Sequence, residues 1–266
     1  MVNVTGDEDI SAEVNTDVVA EAAAMFGTAL PQAEQYAELL TATGVERGIV
    51  GPGEAVRIWD RHVLNCGVIA RLIPAACSLV DLGSGAGLPG IVLAMLRPES
   101  RVTLLEPMAR RAAFLEDCVT ALSLGNVEVV RGRAEEFAGR LAADVVTSRA
   151  VAPLEKLAGL SVGLARPGGR VLAMKGSSAA AELARARPVL ARLGVGDARV
   201  VTVASASGAV TATLVTFTAA LSRQPGAAPK AGWRVAQQVP DGAGGGRRGP
   251  AGNRRQTRPN SRRGGG

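Results

Sequence analysis

One histidine (His62), three cysteines and 3% aromatic residues are what this 266-residue chain has of the side chains most used for acid–base work, metal binding and stacking. A lone histidine leaves no His-rich metal set, and no Ser-His-Asp arrangement is apparent around it. It reads as a packing or helix-orienting residue beside Trp59. Cys66, Cys77 and Cys118 are odd in number and lack CxxC spacing, against both a disulfide framework and a zinc knuckle. Free thiols buried in a reducing cytoplasm are expected instead. Scarce aromatics mean that the core must be built from Ala, Val and Leu, and 47% hydrophobic residues suffice for one. The longest apolar-leaning stretch, 200–221, is broken by Ser, Thr and Gly, so strands are expected there and no membrane span. The opening MVNVTGDEDISAE is acidic and has no apolar core, so no signal peptide is expected. Internal repeats are absent, and no exposed coiled coil suggests more than a monomer.

Charge is unevenly spread. Residues 1–60 carry two Lys/Arg against 11 Asp/Glu, residues 61–220 carry 18 against 12, and residues 221–266 carry ten against one. The net charge of +6 would not exist without the last segment. A basic tail suits a polyanion such as nucleic acid, and equally a solvated extension that aids solubility. The run DGAGGGRRGPAGNRRQTRPNSRRGGG is too poor in apolar side chains to offset its ordering entropy, so 223–266 is expected to be disordered, as is 1–15.

Between these ends, helical periodicity begins at Asp17. Pro31 opens a second helix with Gly44 as its stop. A third helix is expected from about Glu54 to Leu72, with Val56, Trp59, Val63 and Ile69 on one face. Residues 16–74 thus form a helical extension. From residue 75 to 222 short β-rich runs alternate with helical ones. Strands are expected at Ser78–Leu82, Arg101–Leu105, Val127–Arg131, Ala143–Ser148, Arg170–Met174, Ala198–Ala204 and Thr211–Thr218. Helices are expected at Pro89–Leu96, Ala109–Leu124, Leu154–Leu164 and Ala179–Leu193. This alternation implies an α/β fold whose mostly parallel sheet is covered on both faces. The last two strands, joined around Gly208, read as a hairpin that adds one antiparallel strand.

The segment LVDLGSGAGLPG (79–90) runs a hydrophobic strand into a glycine-rich turn and a helix. Gly83, Gly85 and Gly87 clear side chains from the path of a ligand, and the helix start would offer it free N–H groups. Gly85, Gly87 and Gly90 also satisfy the dinucleotide fingerprint GxGxxG, which keeps a nicotinamide or flavin enzyme in play. Asp81, before the first glycine, tilts the choice. A carboxylate there suits the ammonium group of S-adenosylmethionine and repels a pyrophosphate. Glu106, ending VTLLEP, stands where an acid holds adenosine ribose hydroxyls. In GRAEEF (132–137), Ala134 and Glu135 are placed for the adenine edge. Arg149, at the end of VVTSR, is costly to bury without a ligand or a carboxylate. Lys175-Gly176 ends the next strand, so two neighbouring cations would suit a phosphate-bearing substrate.

WDRH (59–62), VDLGSGAGLPG (80–90), LLEPMARRAAFL (104–115), GRAEEF, SRA (148–150) and KG (175–176) together resemble the RsmG (GidB) family of bacterial small-subunit ribosomal RNA methyltransferases. The resemblance covers about residues 20–220. It implies a Rossmann-like class I methyltransferase sheet, S-adenosyl-L-methionine as cofactor, and N7 of one guanine in 16S rRNA, free or in the small subunit, as acceptor. It implies cofactor contacts at Gly83, Leu88, Ala134, Glu135 and Arg149. It also implies cationic RNA or active-site residues at Arg110, Arg133, Arg149 and Lys175. Guanine N7 carries a lone pair and no proton, so no general base is needed. Cations beside N7 would oppose the charge that the base gains, which leaves Arg110, Arg133 and Lys175 for phosphates or for O6. A small-molecule methyltransferase, a dinucleotide-dependent oxidoreductase and a non-enzymatic RNA-binding protein stay open as alternatives.

Overall fold

The computed structural model describes residues 16–220; the expectations for 1–15 and for the tail fall outside them, and the side chains of Thr16 and Asp17 are not described. Two helices open the chain, α1 (Thr16–Phe26) and α2 (Leu30–Thr41). Helix α2 buries Ala33, Tyr36, Ala37 and Leu40, the i, i+3, i+4, i+7 stripe of an amphipathic helix. Gly44 is not its stop. The helix breaks at Ala42 and Gly44 lies buried in the next turn, α3 (Thr43–Glu46), where a Cβ would come within 3.3 Å of Val50. Close packing, not helix termination, favours a glycine there.

The third helix expected from Glu54 to Leu72 is a chain of short pieces. They are α4 (Pro52–Ala55), a π-turn (Ile58–Val63), α5 (Leu64–Gly67) and a 3₁₀ turn (Val68–Leu72). Arg57, at φ −113° and ψ 26°, breaks the α-helical path before the π-turn. The change of period rotates the phase, so Val56 does not share a face with the buried Val63 and Ile69 but is 87% exposed. Trp59 is partly buried, edge-on to Phe26 with ring centroids 6.4 Å apart.

Seven strands follow: β1 (Ser78–Leu82), β2 (Arg101–Glu106), β3 (Val127–Arg131), β4 (Ala143–Arg149), β5 (Ala165–Met174), β6 (Arg199–Ala204) and β7 (Thr211–Thr218). Between them lie α6 (Gly90–Leu96), α7 (Ala109–Ala121), α8 (Ala134–Phe137), α9 (Leu154–Leu164) and α10 (Ala179–Arg192). The sheet order is β3-β2-β1-β4-β5-β7-β6, with β7 antiparallel to both its neighbours. This is the mostly parallel sheet with one antiparallel strand that the alternation implied, in the α/β arrangement expected from the resemblance. The β5 strand starts earlier than expected because the turn at Pro167–Gly169 is taken up as a bulge, between Ala143↔Ala165 and Val145↔Arg170.

Strand periodicity sorts the core into two layers. Leu79 and Leu104 join the helical extension, α6 and α7 on one face. Val80 and Leu105 join α8, α9 and α10 on the other. The reversal of strand order beside β1 opens a crevice at the carboxyl ends of β1 and β4, where doubly wound sheets bind ligands. No helix among the described residues is long and apolar enough to cross a membrane.

Candidate functional site

The loop after β1 crosses into the left-handed region three times, at Gly83 (φ +69°), Gly85 (+59°) and Gly87 (+97°). A Cβ on Gly83 would lie 2.8 Å from Val151 Cγ2, and one on Gly87 would lie 2.8 Å from the Tyr36 hydroxyl oxygen. All three positions disfavour a side chain by conformation, and Gly83 and Gly87 by space as well.

The loop is held by acids. The Gly85 amide donates to Glu106 Oε2 at 2.9 Å and the Gly90 amide to Asp81 Oδ2 at 3.0 Å. Amides of Gly83 and Ser84 go to the Leu105 carbonyl, and those of Gly87 and Leu88 to the Ser84 carbonyl. The expectation that the turn offers free N–H groups to an anion is corrected at each of these six amides, which has a partner within the protein.

Asp81 is engaged within the protein: its side chain is 0% exposed and bonded to the Gly90 amide and to Thr147 Oγ1 (3.2 Å). Burial pushes its pKa up to about 6, against the bonds from Gly90 and its neighbours. It is a strut beneath the glycines. Glu106 is 2% exposed, with Oε1 taking the Met108 amide at 3.0 Å. A carboxylate has more acceptor capacity than these two bonds use. Gly132 donates its amide to the Glu106 carbonyl at 3.2 Å, which sets the 132–137 segment beside that acid. There Ala134 is buried and Glu135 exposed.

Two cavities lie at this end of the sheet. The first, ≈ 260 Å³, is bounded by Gly83, Gly85 and Leu88 of the loop, by Ile58 and His62 of the extension, and by Arg111. The second, ≈ 750 Å³, opens between the extension (Arg57, Arg61, Asn65), the 150–153 loop, Lys175 and α10. Both share Arg149 and Ala150 as a common wall. Ala150 has φ +54°, a strained value for a residue with a Cβ, at the one point where the cavities meet.

Of the residues expected from sequence, Gly83, Gly85, Leu88 and Arg149 gather at the first cavity. Gly87 lies beneath the loop against Ile91 and Tyr36. Ala134 and Glu135 stand at the neighbouring strand end and line neither cavity. Arg110 and Arg133 are exposed outside both; Arg111, the next residue on α7, lines the first.

Lys175, expected to meet phosphates, lines the second cavity and is paired within the protein. Its side chain is 7% exposed, with Nζ 2.5 Å from the Ala152 carbonyl and 2.9 Å from Glu182 Oε2. Burial would raise the pKa of Glu182, but the bond from Lys175, with those from Ser178 and from the Leu154 amide, outweighs it and lowers the pKa. The pair fixes the 150–153 loop. Sequence adjacency placed Lys175 beside Arg149, and the register Arg149↔Met174 agrees, but a partner on α10 is not visible in strand spacing. Also missed were Arg57, Arg61 and Arg185 at the second cavity, since in sequence they are ordinary helix-surface arginines. The WDRH motif (59–62) was the signal that could have pointed to Arg61.

The family described as rRNA small subunit methyltransferase G matches residues 29–210. A ribosomal RNA small subunit methyltransferase G from Thermobifida fusca is 53% identical over 207 residues, 77% of this chain and 87% of that protein. The protein of the same name from Salinispora tropica is 51% identical over 194 residues, 70% of this chain and 80% of its own. On this evidence the chain belongs to the rRNA small subunit methyltransferase G family.

Proposed function

We propose that the chain transfers a methyl group from S-adenosylmethionine to N7 of a guanine in 16S rRNA, as a monomer in the bacterial cytoplasm. The observation that carries this reading is the wall of Arg149 and Ala150 common to a glycine-loop cavity and a larger cationic one. Donor and acceptor sites so joined can hold two reacting groups in line, and positioning of that kind is the main demand of a displacement at a free lone pair. When bound, S-adenosylmethionine supplies an electrophilic methyl group on a sulfonium.

The residues present fit that group better than a dinucleotide. A pyrophosphate needs unused amides at the helix start, whereas here six of the loop's amides are spent within the protein and two carboxylates, Asp81 and Glu106, stand behind them. Glu106 keeps acceptor capacity for ribose hydroxyls, and Arg149 offers a cation to a carboxylate. The resemblance also puts Ala134 and Glu135 on the cofactor, at the strand end beside Glu106.

The larger cavity favours RNA over a small molecule. Arg57, Arg61 and Arg185 stand around it with partly exposed ion pairs to Asp60, Glu54 and Glu155 that phosphates can replace. Lys175 and Glu182 hold the loop between the sites, and Arg110 and Arg133 lie outside as further phosphate contacts.

The test uses labelled S-adenosylmethionine with small-subunit RNA, and with assembled subunits, from cells lacking the modification. Label at a guanine N7 that is lost in Arg149→Ala supports the proposal. Binding of cofactor without labelling of either RNA form overturns the RNA assignment and points to a small-molecule acceptor.

A further inference from the structure

Arg149 sits between the two cavities without a carboxylate partner among the described residues. Its guanidinium is held by uncharged acceptors, all from one segment of the extension. These are His62 Nδ1 in a short contact, Cys66 Sγ at 3.1 Å and the Arg61 carbonyl at 3.4 Å. The Cys66 thiol is fully buried, and burial pushes its pKa up, so it stays neutral. His62 in turn presents Nε2 to Glu54 Oε2 at 2.7 Å. An arginine N–H can only donate, so Nδ1 accepts and Nε2 carries the proton toward Glu54. Glu54, His62 and Arg149 thus form a line from the extension to the end of β4.

We infer that Glu54 and His62 are positioning residues that aim Arg149 and keep its charge available for a carboxylate bound at the glycine-loop cavity. A direct Glu–Arg ion pair would occupy the guanidinium fork; the imidazole between them relays the attraction and leaves other donors of Arg149 facing the cavities. The line requires a neutral ring. Burial and the Arg149 charge both lower the pKa of His62, while Glu54 opposes them and Arg61 adds to the lowering. The segmented path of 52–67 serves this end, since a continuous helix would not turn Glu54, His62 and Cys66 toward one point. The inference rests on the cofactor reading above and adds the residues that prepare its anion site.

The test measures binding of S-adenosylhomocysteine, which carries an amino-acid carboxylate, and of methylthioadenosine, which lacks it. His62→Ala is expected to weaken the first about tenfold and leave the second unchanged, with His62→Asn recovering part of the loss because its amide oxygen can accept from Arg149. In an Arg149→Ala background, His62→Ala should add nothing. Equal losses for both ligands, or a His62→Ala effect that persists undiminished without Arg149, would overturn the relay and leave a packing role. Wild-type protein that binds neither ligand would instead strike the cofactor reading itself.

Discussion

Tyr36 donates its hydroxyl to the carbonyl of Ala86 at 2.8 Å, and through that bond a helix of the extension holds the middle of the glycine loop. The ring is 0% exposed and burial keeps its pKa well above the usual tyrosine range, so the hydroxyl remains a donor. The extension is therefore part of the ligand site as well as a cover for the sheet.

Tyr36→Phe removes that donor and leaves a loop carbonyl without a partner. An orphaned buried acceptor costs about 1–3 kcal/mol, and Ala86 is only half-buried, so the lower end of about 1 kcal/mol is expected. Chemical denaturation should show a loss of about that size, and S-adenosylhomocysteine should bind several-fold more weakly. Wild-type behaviour in both measurements would show that the Ala86 carbonyl finds another donor.

Gly83→Ala meets two penalties, the left-handed φ and the contact with Val151. The conformational penalty alone is about 1–2 kcal/mol. Calorimetry should find ligand binding weakened at least tenfold. Adding Val151→Ala should restore only part of it, because the second substitution relieves the contact and not the backbone. Full recovery would mean that crowding was the only defect.

Asp81 gives a pH test with a definite sign. Its folded pKa of about 6 lies above the ordinary aspartate value of 3.8, so the native state binds the proton more tightly than the unfolded chain. Its contribution is complete below pH 3.8 and is lost as pH rises to about 6, an effect of roughly 3 kcal/mol. Asp81→Asn has no charge to bury, and Thr147 can turn its hydroxyl to accept from the amide. Relative to the variant, wild type should lose stability between pH 4 and pH 6 in urea denaturation. Parallel profiles would show that Asp81 stays charged at little cost.

Lys175→Met strands the Glu182 carboxylate and releases the Ala152 carbonyl. Breaking a buried pair costs about 3–5 kcal/mol. Glu182 keeps its bonds from Ser178 and Leu154 and is 13% exposed, so about 2 kcal/mol is expected. Lys175→Met with Glu182→Leu should regain stability while methyl transfer to RNA stays impaired, since the 150–153 loop is still unpinned. Restored transfer in the double variant would remove the loop from catalysis.

The boundaries of β1, β3, β7 and α9 were legible in sequence because alternation and turn residues act locally. The extension was legible only as helix. Val56 misled because a π-turn shifts the helical phase, and no local pattern marks that turn. The ion pair of Lys175 was not legible because its partner lies on α10. Arg111 was passed over for Arg110 because adjacent helix positions look alike until the helix is docked.

By itself the sequence determined the order of elements, the single antiparallel strand, the glycines that need positive φ, and the family motifs. Each follows from short-range sterics and hydrophobic period. Only the tertiary structure decided what the charged groups do. It buried Asp81 under the loop, tied Lys175 to Glu182, and set Glu54 and His62 behind Arg149. Whether a charge is spent on the protein or left for a ligand depends on partners far apart in the chain, which only packing brings within hydrogen-bond distance.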